Sequence, residues 1–77
     1  MSDHDINDEF LRKLYEKTVN KDGIETIDRF EVGVELRLDN VRTDIIVDEL
    51  NNYGYIRKTV GTKIMITDEG KTIVRNM

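Results

Sequence analysis

The sequence predicts a single α+β domain built from three helices, a two-stranded β-hairpin and a short final helix. Three observations lead there. Apolar side chains recur at three- and four-residue spacing from Asp8 to Asn52. The period falls to two between Tyr55 and Thr67. A chain of 77 residues supplies apolar surface for only one core.

Residues 1–7 are expected as a flexible tail and residues 8–77 as the domain. The first helix is predicted from about Asp8 to Val19, with Ile6, Phe10, Leu11 and Leu14 at helical spacing and Tyr15 beside them. Asn7 or Asp8 suits its start, and Asn20-Lys21-Asp22-Gly23 its stop. Thr26 is the candidate cap of a second helix over about 27–36. Its inward face is Ile27, Phe30, Val34 and Leu38, with Arg29, Glu31 and Glu35 outside. Gly33 permits close packing against the next helix. Asp39 caps a third helix from about Asn40 to Asn52, which Gly54 ends. Ile46, Leu50 and Tyr53 share its apolar face, with Thr43 and Val47 adjacent.

The hairpin strands are predicted at Tyr55–Val60 and Lys63–Thr67. Ile56, Val60, Ile64 and Ile66 face inward, and Gly61-Thr62 forms the tight turn. Asp68 and Glu69 suit the first turn of a last helix that docks through Ile73 and Val74.

The composition is 38% hydrophobic and 36% charged, which fits a soluble domain near the lower limit of independent stability. Such domains often bury further surface against a second copy or a partner. The chain has no cysteine, which excludes disulfides and thiol chemistry and suits a reducing cytoplasm. No apolar run approaches the ~20 residues of a membrane span, and the acidic N-terminus is unlike a signal peptide. A cytoplasmic protein without membrane contact is the expectation.

Reactive side chains are sparse. Asp3, His4 and Asp5 are possible metal ligands, but they fall in the expected tail with nothing to orient them. His4 is the only histidine and Ser2 the only serine, so no catalytic triad can be assembled. The glycines are scattered and form no phosphate loop. The expectation is a binding module with no catalytic residue, metal or cofactor.

Charge is unevenly spread. The net charge is −4, yet residues 55–77 carry five basic and two acidic side chains. Arg57, Lys58 and Lys63 stand on the hairpin without an acid between them. They are either a docking face for an anionic partner or ordinary solvated charge that guards a sheet edge.

An ordered set of motifs runs through residues 27–70: Leu36-Arg37-Leu38-Asp39, then Val47 and Leu50, then Gly54-Tyr55-Ile56, then Ile66-Thr67-Asp68-Glu69-Gly70. This set resembles the winged helix-turn-helix domains of bacterial and archaeal transcriptional regulators. The resemblance implies a homodimer that binds double-stranded DNA, with the third helix in the major groove and the hairpin as a wing on the backbone. Asn40, Arg42 and Thr43 would lie nearest the bases. Arg57, Lys58, Thr62 and Lys63 would meet phosphates, and Arg37 would reach one from the turn.

Two departures qualify this. Asp44 and Asp48 on the third helix would repel phosphates, and Arg37 stands where the family carries a small residue. Winged helices also serve as protein–protein modules in larger assemblies. Val41 and Ile45 are the candidate interface for that alternative. Either they belong to the core, the helical phase being one residue off, or they lie exposed as an apolar surface.

Overall fold

The computed structural model describes residues 3–20 and 26–77, with side chains from Ile6 onward. Among them, helix α1 spans Asp3–Asn20 and buries Phe10, Leu11 and Leu14 on one face. It begins five residues earlier than expected, so the backbone of residues 3–7 is helical. Asn7 donates to Glu49 at 3.0 Å, which ties this end to a later helix. The expected stop at 20–23 runs past the described residues, as do the side chains of Asp3, His4 and Asp5.

The second element differs most from expectation. Ile27–Asp28 is a short strand, β1, and helix α2 covers only Arg29–Glu35. Asp28, not Thr26, caps it by accepting from the Phe30 N–H at 2.9 Å. With Ile27 in the strand, the helix is free to bury a different face. Val32 and Gly33 are buried and Val34 is exposed, while Arg29, expected outside, is only 9% exposed.

Helix α3 runs Asn40–Tyr53 as the sequence predicts. The Asp39 carboxylate accepts from Arg42 N–H at 2.7 Å, and Gly54 ends the helix at φ 84°. Its inward face is Thr43, Ile46, Val47 and Leu50. Tyr53, expected on that face, is exposed beyond the core. Gly33 of α2 lies against Thr43: a Cβ there would come 2.2 Å from Oγ1. The close helix–helix approach therefore depends on the absent side chain.

Strands β2 (Ile56–Lys58) and β3 (Lys63–Ile66) pair antiparallel with Ile56 opposite Ile66. β1 joins the other side of β3, giving a three-stranded sheet in the order β1-β3-β2 instead of the two strands expected. At the turn, Lys63 N–H donates to Val60 and its carbonyl accepts from Thr59 N–H. Two residues thus oppose one, a bulge that turns the strand end outward. This leaves Val60 at 86% exposed, against the expected inward position.

Helix α4 (Asp68–Arg75) is capped by Thr67 and docks through half-buried Ile73 and Val74. Gly70 lets its first turn approach the hairpin, since a Cβ there would lie 2.3 Å from the Tyr55 carbonyl oxygen. One core of Phe10, Leu14, Val32, Val47, Ile56 and Ile64, among others, joins all the elements. Among the described residues, no helix is long and apolar enough to cross a membrane.

Candidate nucleic-acid interface

The exposed surface of α3 and the hairpin beside it are held together by two charged side chains. Arg29 leaves the first position of α2 and donates from Nε to the Thr62 carbonyl at 3.2 Å. The same carbonyl accepts the Arg29 backbone N–H at 3.1 Å. The other end of the guanidinium, Nη1, donates to Asp44 of α3 at 3.1 Å. One buried arginine therefore fastens the hairpin turn to the middle of α3. Lys58 makes the second link. Period two points it to the same side of the sheet as Ile56, where its ammonium pairs with Asp48 of α3.

These links change the electrostatics expected of the surface. Asp44 and Asp48 looked like two charges hostile to phosphate. Each has a cation against it, so their field largely cancels at the distance of a docked anion. In turn, Lys58 is engaged and does not stand ready as a phosphate ligand.

The remaining candidates divide clearly. Arg57 and Lys63 are exposed, with no side-chain partner among the described residues. Thr62 is exposed on the hairpin turn, with its carbonyl committed to Arg29. Arg37 is exposed between α2 and α3 at φ 60°, a left-handed conformation unfavourable for any residue that carries a Cβ. Asn40 and Arg42 are exposed on the first turn of α3. Thr43 is not. It is 1% exposed, its hydroxyl donates to the Asp39 carbonyl at 2.8 Å, and the same hydroxyl oxygen lies closest to Gly33, with the methyl just behind it. Thr43 belongs to the helix packing and leaves the candidate set.

Val41 and Ile45 are 71% and 47% exposed. The helical phase is therefore as read, and the two apolar side chains lie one turn apart on the outer face of α3. Sequence reasoning missed Arg29 because a helix started at Ile27 turns it to solvent. The signal that could have found it is Asp28, a stronger cap than Thr26.

A separate concavity of about 470 Å³ lies at the opposite end of α3, lined by Leu11, Glu49, Leu50, Tyr53, Tyr55 and Ile73. The tyrosine rings stand 5.8 Å apart and tilted by 31°. None of the hairpin cations lines it.

Compared with known protein families, curated proteins and solved structures, the chain matches none.

Proposed function

We propose that this chain is a winged helix-turn-helix module that binds duplex DNA, with α3 facing the major groove and the β2–β3 hairpin lying on the backbone. The observation that carries the reading is the division of charge. Two of the three acids of α3, Asp44 and Asp48, are paired with cations within the protein, and the third, Glu49, lies nearer the far end of the helix and accepts from Asn7, while Arg57 and Lys63 on the hairpin and Arg37 on the turn stay exposed. The order of elements supports it: three helices, a hairpin held against the third of them, and a sheet completed by a short strand before α2.

Titration of a fluorescent duplex tests the proposal. Three phosphate contacts from Arg37, Arg57 and Lys63 predict a slope of log K against log salt of roughly −0.9 per contact, or about −3 per domain. Binding should be seen at micromolar protein in low salt, and Arg57→Glu should weaken it several-fold. Absence of binding at high micromolar protein, or binding indifferent to salt, overturns the proposal.

One observation favours a second reading, a protein–protein module. Val41 and Ile45 are exposed together on α3. Under that reading Ile45→Asp abolishes partner binding and leaves the fold and any hairpin-led DNA affinity intact.

A further inference from the structure

Val41 and Ile45 are the least expected feature of the proposed interface, since a docking face for a polyanion has no general use for exposed aliphatic groups. Their setting narrows what they can meet. On α3 they share a face with Asp44 and Asp48, each held in an ion pair, to Arg29 and to Lys58. Cores of protein–protein interfaces are depleted of charge, and burying two ion pairs beside two aliphatic side chains costs more than it returns. Arg57 and Lys63, without a side-chain partner among the described residues, stand on the strands attached to the same helix, and Arg37 on the turn before it. The surroundings therefore complement an anion, while the centre complements a small apolar group.

The floor of the DNA major groove offers that combination at one place. The C5-methyl of thymine is the only apolar group a base presents there, and it lies between rows of phosphates. Four residues of helix advance about 6 Å, close to the roughly 7 Å between base pairs two steps apart. Both side chains are branched and present methyl groups outward.

Resting on the DNA-binding reading, we infer that Val41 and Ile45 read thymine methyl groups, so that this face of α3 selects thymine-containing duplex over duplex of the same charge and pairing that lacks the methyl.

The test compares alternating 30-base-pair duplexes of dA-dT and dA-dU, which differ only at C5. The wild-type chain should bind the thymine duplex about tenfold more tightly, as two buried methyl groups allow. Val41→Ala/Ile45→Ala should bind both duplexes equally. Both side chains lie outside the core, so thermal unfolding of this variant should match the wild type, and folding loss is separable from lost readout. Equal affinity of the wild type for the two duplexes overturns the inference while the DNA-binding reading stands. A thymine preference that persists in the double variant also overturns it. Binding to neither duplex at low salt overturns both.

Discussion

Three positions have consequences that their residue types alone do not suggest. Arg29 satisfies the Thr62 carbonyl and Asp44 at once. Replacing it with Met keeps much of the packing but removes both bonds. The Thr62 carbonyl still receives the backbone N–H, and half-exposed Asp44 regains water. Arg29→Met should therefore lower the unfolding free energy by only about 1–2 kcal/mol, read by urea titration. At Gly33 the margin is smaller. Thr43 is fixed by its bond to Asp39 and cannot turn aside from an added methyl. Gly33→Ala should cost about 1–3 kcal/mol in the same measurement, through separation of α2 from α3. Arg37 works in the other direction. Its left-handed backbone favours glycine, so Arg37→Gly should stabilise the fold by about 1 kcal/mol in thermal unfolding. Under the proposed function, the same substitution loses a phosphate contact. Stability and DNA affinity would move in opposite directions at one position.

At the scale of elements, α3 was legible because every cue was local. Asp39 caps it, Gly54 ends it, and the residues between keep one apolar period. The β1–α2 segment was not legible. A two-residue strand has no period to detect, and its partners, Lys63 and Ile64, are more than thirty residues away. Once β1 pairs, α2 must begin at Arg29, and its buried face shifts to Val32 and Gly33. The exposure of Val60 was hidden for a related reason, since the bulge opposite Lys63 breaks the alternation that the strand pattern assumes. The charged contacts on α3 were half legible: Asp44 and Asp48 could be found, but their partners on α2 and β2 could not.

Contacts between elements also set the response to pH. Lys17 of α1 pairs with Glu35 and Glu31 of α2, and its pKa is raised above the usual lysine value, chiefly by the bond to Glu35. A raised folded pKa gives stability that is fully present below the unfolded value, about 10.4, and is lost as pH rises through the folded one. The stability difference between wild type and Lys17→Met should stay constant from neutral pH to about pH 9. It should shrink above about pH 10.5, followed by denaturant titration at each pH.

Over the whole molecule, a net charge of −4 is compatible with an anion-binding face because the acids are not spread evenly in effect. Several are spent on internal pairs: Glu31 and Glu35 on Lys17, Asp44 on Arg29, and Asp48 on Lys58. The Lys58–Asp48 pair gives the most direct check. Asp48→Asn removes a negative charge from α3 and releases Lys58. Under the proposed function it should tighten duplex binding several-fold and steepen the salt slope by about 1, measured by anisotropy at increasing salt.

The strand order carries one more consequence. β2 lies at an edge of the sheet, with one side of its backbone unpaired by any strand of the described residues. An uncovered row of amide and carbonyl groups is a template for stacking identical chains, and cationic side chains on it keep such stacks from growing. Arg57→Val would thus do more than delete a phosphate contact. It should drive self-association that sedimentation detects at high concentration. Arg57→Glu, which keeps the strand charged, should sediment as the wild type does.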